Sequence, residues 1–267
     1  MNTSPSVNTR VHVINLDRTP ERFAEFMSMN AIPGVEFVRI KAVDGNAIDR
    51  KLLASEGIIT ENLIFTNNSI ACALSHMRGW KIALDNKQAV TICEDDAILH
   101  PDFHRVYQNT VKDAPDADII YWGYNLDMHI ACDIPGFGVS TMIFDDRYFT
   151  EAKNIRSFQE SACDPFLYRS RRLYGALCYT ITLKGATKLL NSCIPLKNER
   201  GSYVLQIGLG KPLVINFESW GIDIHMGVVA LPDIFGYAVV PPVVISQNDK
   251  TKSTIGGDRR VAGEGGQ

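Results

Sequence analysis

The chain has 267 residues, 45% of them hydrophobic, enough to bury a substantial core as one large domain or two small ones, and one domain is the expectation. A formal net charge of −3 lacks the basic footprint of a nucleic-acid binder. The longest apolar stretches, 227–231 and 238–245, fall well short of the ~20 residues that a membrane-crossing helix needs.

The polar segment 1–10 shows no apolar core followed by a small-residue cleavage site, so no secretory signal is read and a cytoplasmic location is expected. Six cysteines, at 72, 93, 132, 163, 178 and 193, are dispersed without a Cys-x-x-Cys, which argues against a disulfide scaffold and a zinc site.

Residues 10–16 read as the first strand. Thr19 as N-cap and Pro20 at the first helical position start a helix through Met29. In this β-loop-α unit Arg18 and Arg22 lie at the sheet edge, where they meet a diphosphate or base, or simply water. Residues 34–40 alternate as a second strand ending in Ala42-Val43-Asp44-Gly45, a turn signal first and a ligand contact second. Residues 49–56 are helix-like.

The clearest helix is 68–84, where Ile70, Ala73, Leu74, Met77, Trp80 and Leu84 recur at helical spacing behind a cap at Asn68 or Ser69. Its second stripe, Cys72, Ser75, His76 and Gly79, lets the helix lie close against a sheet or a nucleotide. His76 alone reads equally as a satisfied structural histidine.

Residues 89–93 form a short, β-branched, fully apolar run, the pattern of a parallel strand covered on both faces. It ends in Glu94, Asp95 and Asp96, at the edge where open α/β sheets bind ligands. Alternation places Glu94 and Asp96 on one side and Asp95 on the other. Two carboxylates ~4 Å apart at an effective dielectric of ~20 repel by roughly 4 kcal/mol, so a convergent pair needs a counter-charge or a raised pKa. Mg²⁺ or Mn²⁺ supplies that charge and keeps part of its shell for phosphate oxygens. The bland alternative is a solvated acidic turn. Asp116 and Asp118 share the spacing but precede the run 119–122, and Asp145-Asp146 falls in a turn; both pairs read as solvated.

A helix opens at Pro101-Asp102-Phe103 and ends near Asp113, and 118–123 is a strand. Periodicity is poor from 125 to 170, which fits a lid or acceptor-binding region. The basic cluster at 168–173 holds an anionic acceptor or diphosphate, or is wet surface. Residues 174–182 form a strand, 183–190 start a helix, and 214–217 form a further strand before Asp223 and His225, which lie two apart as Glu94 and Asp96 do. The expected division is a flexible segment 1–9, a domain 10–247 and a polar tail 248–267, disordered after Ile255.

Several pieces now fall into a known order: Val13-Ile14-Asn15-Leu16-Asp17-Arg18 with Arg22; Ala42-Val43-Asp44-Gly45; Ala71-Cys72-Ala73-Leu74-Ser75-His76; Glu94-Asp95-Asp96; 175–181 with Gly185-Ala186; and Gln247 with Ser253-Thr254-Ile255. On these the chain resembles glycosyltransferase family 25, the lipooligosaccharide galactosyltransferases of bacteria, whose relatives include the collagen galactosyltransferases. The resemblance implies a GT-A-like single-domain α/β fold with a mainly parallel central sheet flanked by helices. It implies an inverting transfer from a UDP-sugar, with UDP-galactose the best-supported donor, and a Mn²⁺ or Mg²⁺ ion at Glu94-Asp95-Asp96. The acceptor it implies is a glycan or glycolipid of the lipopolysaccharide kind, with peripheral contact at the cytoplasmic face of the inner membrane. Carried over, Asn15, Leu16, Arg18, Ala42, Asp44, Ser75 and His76 line the nucleotide pocket, Asp95 approaches the ribose or the metal, and Asp96 ligates the metal.

The family's Pro-x-Asp-like element is displaced here, since Asp223 comes later and follows Gly221-Ile222. Direct displacement needs a base for the acceptor hydroxyl. Asp223 is the expected base, His225 a further metal or phosphate contact, and Asp164 the reserve. Two other classes compete: a nucleotide-sugar-binding protein without catalysis, and a metal-dependent phosphoesterase or nucleotidyltransferase. The second lacks a Gly-x-x-x-x-Gly-Lys phosphate loop.

Overall fold

The structure, a computed structural model, describes residues 8–145, 148–206 and 211–247. The expected tail 248–267 and the segment 1–7 lie outside the described residues, and so do Ser253, Thr254 and Ile255.

The first strand, β1 (Thr9–Asn15), buries every second side chain, and Pro20 opens α1 (Pro20–Met29) as its fixed φ allows. β2 (Val35–Lys41) follows, then a single 3-10 turn at Gly45–Ala47 and the short α2 (Arg50–Ser55), capped by Asp49. The long α3 (Asn67–Asn86) begins a residue earlier than the expected 68, because the Thr66 hydroxyl accepts from the Ser69 N–H; this replaces the cap expected at Asn68 or Ser69. It lies close on β3 (Val90–Glu94), for a Cβ on Gly79 would stand 2.4 Å from Ile92 Cδ1. Beyond the acids come β4 (Ala97–Leu99), α4 (Phe103–Asp113) and β5 (Ile119–Gly123).

The stretch 125–170, expected to be irregular, contains β6 (Ile130–Ile134), β7 (Gly138–Met142), α5 (Ala152–Glu160) and the start of β8 (Phe166–Arg172). Its periodicity is hidden because β7 is the sheet's last strand and nearly all of it is exposed, so no alternation marks it. The basic cluster is therefore strand, not loop. Next come β9 (Cys178–Ile181), α6 (Leu183–Cys193) and the separate hairpin β10 (Arg200–Gln206) with β11 (Pro212–Glu218). Last are α7 (Ile222–Ile224), continued by a π turn at His225–Val229, then β12 (Gly236–Val240) and β13 (Val244–Ser246), which pairs with β4.

Nine strands share one sheet in the order β2-β1-β3-β9-β5-β12-β8-β6-β7. The expected α/β class holds, but the sheet is mixed. Parallel pairing is confined to β2-β1-β3 and β5-β12, and the other neighbours run antiparallel. β9 enters between β3 and β5 antiparallel to both, in the same direction as β8, the strand before it. Its burial still matches β3, with the Thr91 and Thr180 hydroxyls 2.8 Å apart. Asp118 departs from its solvated expectation: it is fully buried at the start of β5, held by Lys188 at 2.6 Å and the Phe235 N–H at 2.8 Å.

Candidate functional site

The carboxyl ends of β1 and β3, the loop 42–45 and the first half of α3 enclose a cleft of about 630 Å³ of empty space, part of it open solvent. Asn15 closes β1 with three bonds: its Nδ2 donates to Thr19 O at 3.0 Å and to Asp95 Oδ2 at 2.7 Å, and its Oδ1 accepts from Arg39 Nε at 2.8 Å. Arg22, in the first turn of α1, pairs with the other Asp95 oxygen. With only 11% of its side chain exposed, Asp95 is thus a strut that ties the end of β3 to the β1–α1 loop. Burial pushes its carboxyl up, while Asn15 and Arg22 pull it down; the net shift is upward.

The opposite wall is built on α3. The Ser75 hydroxyl accepts from the Val43 N–H at 2.8 Å and donates to Ala71 O at 2.7 Å, fixing the loop after β2 onto the helix. A Cβ on Gly45 would fall 2.0 Å from Asn68 Oδ1 and 3.1 Å from its Cα, so any larger residue would have to displace the Asn68 side chain. Asp44 caps the following turn through the Asn46 N–H and holds Arg18 Nε at 3.0 Å at the mouth. Leu16, Arg18 and Ala42 line the cleft, as do Asn15, Arg22, Ser75, His76, Glu94 and Asp95.

His76 is buried between two partners, with Nδ1 3.0 Å from the Tyr179 hydroxyl and Nε2 3.4 Å from Glu94 Oε1. Trp80 Nε1 donates to that same hydroxyl at 2.8 Å. The Tyr179 proton is then free to go to His76 Nδ1, which assigns the imidazole proton to Nε2, facing Glu94. Glu94 keeps 34% of its side chain exposed at the cleft. Asp96 accepts a 3.4 Å bond from Ser246 Oγ. Crowding by protein and the Glu94 charge push its carboxyl up, though its accessible surface keeps it in contact with water, which moderates the shift.

Among the described residues no three His, Cys, Asp or Glu side chains converge as a metal cluster. Asp95 is committed to Asn15 and Arg22. Glu94 and Asp96 fit an ion better: each holds a single weak side-chain partner, and their charges destabilise one another. Two carboxylates suit a cation that completes its shell with water and phosphate.

The remaining candidates stand apart. Asp223 is half-buried on α7 and, like His225, is not among the cleft-lining residues. His225 is buried near Ser192, Lys197 and Glu199, and burial lowers its pKa. The analogy with Glu94 and Asp96 fails geometrically, because residues two apart on helical backbone diverge by roughly 200° instead of sharing a face. Asp164 is 86% exposed in an ion pair with Arg105 and is not among the cleft-lining residues.

Arg39, Trp80, Tyr179 and Ser246 had no part in the sequence reading of the site. Tyr179 alone carried a signal, since a tyrosine in a buried strand needs a partner for its hydroxyl.

A family model described as glycosyltransferase family 25 (LPS biosynthesis protein) matches residues 8–202. A glycosyltransferase 25 family member of Anopheles gambiae is 26% identical over 196 residues, covering 68% of this chain and 28% of that protein. The procollagen lysyl hydroxylase and glycosyltransferase of Acanthamoeba polyphaga mimivirus is 25% identical over 203 residues, 69% of this chain and 20% of that protein. A Drosophila melanogaster glycosyltransferase 25 family member is 26% identical over 195 residues, 68% and 27% of the two chains. The chain therefore spans only between 20% and 28% of the length of these relatives.

Proposed function

The chain belongs to glycosyltransferase family 25, and on that premise we propose that it moves a hexose, galactose in the first instance, from a UDP-sugar to a hydroxyl of a glycan or glycolipid acceptor with inversion. The observation that carries this reading is the cleft itself: the β1–α1 loop, the loop 42–45, α3 and Glu94 meet at one sheet edge, with Asp96 in the turn that follows.

In this reading Glu94 and Asp96 hold Mn²⁺ or Mg²⁺, and the ion offsets negative charge on the departing diphosphate. Arg18 at the mouth exchanges its surface bond with Asp44 for a phosphate oxygen. Asn15, Ala42 and Ser75 shape the wall for the nucleoside, and Leu16 gives it an apolar face. His76 orients Glu94. Asp223 takes the acceptor proton on its carboxylate, and the freed oxygen attacks the anomeric carbon opposite UDP. Asp223 is preferred to Asp164 because it is half-buried on α7, whereas Asp164 is 86% exposed in an ion pair with Arg105. His225 supports α7 from behind in place of touching the ion.

The acceptor is proposed from the family description, which names LPS biosynthesis. Work on such an acceptor at the cytoplasmic face of the inner membrane would be peripheral, and no described helix is long and apolar enough to cross a membrane.

The test is a donor screen with Mn²⁺ across UDP-galactose, UDP-glucose and UDP-N-acetylhexosamines, reading released UDP. UDP-galactose turnover, including slow hydrolysis without acceptor, is the expected outcome. UDP binding without turnover would favour a silent binding protein, and release of monophosphate or pyrophosphate would favour a phosphoesterase or nucleotidyltransferase.

A further inference from the structure

We infer that a second subsite lies beside Asp223, in which Arg172, laid over the Tyr203 ring, receives the carboxylate or phosphate of an anionic sugar. As an acceptor subsite it rests on the transferase reading above.

Arg172 ends β8 half-buried, with its guanidinium carbon 3.3 Å from the centroid of the Tyr203 ring. Stacking occupies the flat face of a guanidinium and leaves its in-plane N–H edge for a bidentate anion. Among the described residues no carboxylate pairs with it, whereas its neighbour Arg171 holds Asp133 at 2.6 Å. A half-buried cation without a counter-charge is costly unless a ligand supplies one.

The platform beneath it is fixed. The Tyr203 hydroxyl lies 2.5 Å from that of Tyr174 and 2.9 Å from His129 Nε2, and the His129 ring packs 5.5 Å from Tyr174 and 5.4 Å from Tyr203. Burial lowers the pKa of Arg172, against the pull of Tyr203 and Tyr174, and burial and the Arg172 charge lower that of His129, which favours its neutral imidazole beside the guanidinium. A hydrogen bond links the platform to the segment that carries Asp223: the Leu173 N–H, between Arg172 and Tyr174, donates to Gly227 O at 2.9 Å, in the turn that continues α7. Nearby in the chain, Trp220 exposes 42% of its surface, an aromatic face on which a sugar ring can stack.

The experiment is isothermal titration of the full chain, with UDP and Mn²⁺ present, against methyl β-glucuronide, glucose 6-phosphate and neutral methyl β-glucoside. One or both anionic sugars should bind about tenfold or more tightly than the neutral one, the scale of one charge-assisted bidentate contact. Whichever wins identifies carboxylate or phosphate. Arg172→Gln should erase the preference and Arg172→Lys should keep part of it, as a point charge without the fork. Equal binding of all three sugars by the unaltered chain overturns the proposal without recourse to any variant, and so does a preference that survives in a folded Arg172→Gln protein. UDP binding is read in the same series: UDP bound without anion preference sinks the subsite alone, whereas anion preference without UDP binding sinks the transferase reading and leaves the subsite standing.

Discussion

Replacing Arg22 by methionine keeps the aliphatic stem and removes the guanidinium from Asp95, whose carboxylate then keeps one side-chain donor, Asn15 Nδ2 at 2.7 Å. Removing one partner of a buried ion pair costs about 3–5 kcal/mol. Arg22 is 25% exposed, and the Asn15 bond survives, so about 2–3 kcal/mol is expected near neutral pH. The penalty should depend on pH with a definite sign. In the intact protein burial already holds the Asp95 carboxyl above its ordinary value, against the pull of Asn15 and Arg22. Without Arg22 it moves further up. A carboxyl raised in the folded state makes that state bind a proton more tightly than the unfolded chain does, so the destabilisation is full above the folded pKa and fades below the unfolded one. Urea unfolding at roughly pH 8, 6 and 4, spanning the carboxylate range, should show the Arg22→Met penalty shrinking as pH falls. Asp95→Asn in the same background should recover part of the loss, because the uncompensated charge is gone. A penalty constant across pH, with no recovery in the double variant, would refute the strut.

Tyr179→Phe leaves Trp80 Nε1 and His76 Nδ1 buried without their shared partner, at about 1–3 kcal/mol for each orphaned group; a loss under about 1 kcal/mol in urea unfolding would show that the network is not closed as drawn. Glu94→Gln and Asp96→Asn should each weaken Mn²⁺ binding, followed by electron paramagnetic resonance, by about tenfold or more, an effect in the range set by ligand count. Because the Asp96 carboxyl is raised and the ion needs it deprotonated, affinity in the unaltered protein should begin to fall at a higher pH than for an ordinary aspartate; unchanged binding in both variants places the ion elsewhere. Asp223→Asn should abolish transfer with UDP affinity nearly intact, and retained turnover would remove Asp223 from the role of base.

Sequence legibility followed how local the cause was. Pro20 and the alternation before it marked β1 and α1, and the spacing of Ile70, Met77 and Trp80 marked α3, since each signal lies within a turn or two of what it specifies. The direction of β9 had no such signal. A strand buried on both faces reads the same in either direction, and β9 takes the direction of β8, which lies elsewhere in the sheet. β7 was hidden for the opposite reason, being exposed along nearly its whole length, and the helical turn at 222–224 was masked by a short run in which Asp223 and His225 imitate strand spacing.

The same distinction divides the two sides of the candidate site. On its donor side Glu94 could be named from the strand end where an apolar run stops and Ser75 from the small-residue stripe of α3, whereas Asn15 came from the family resemblance. The Arg172 platform draws on β8, β10 and the stretch before β6, segments that no periodicity connects. Within the acid triplet the consequence is one of charge. Asp95 is cancelled internally by Arg22, which leaves Glu94 at the cleft and Asp96 beside it in the turn, its carboxyl raised first by desolvation and then by the Glu94 charge. Two open negative charges match one divalent ion, and a third would overcompensate it. Arg22 thus sets the charge of the cation site without touching the cation, and the strut and the ion affinity should respond together when that guanidinium is removed.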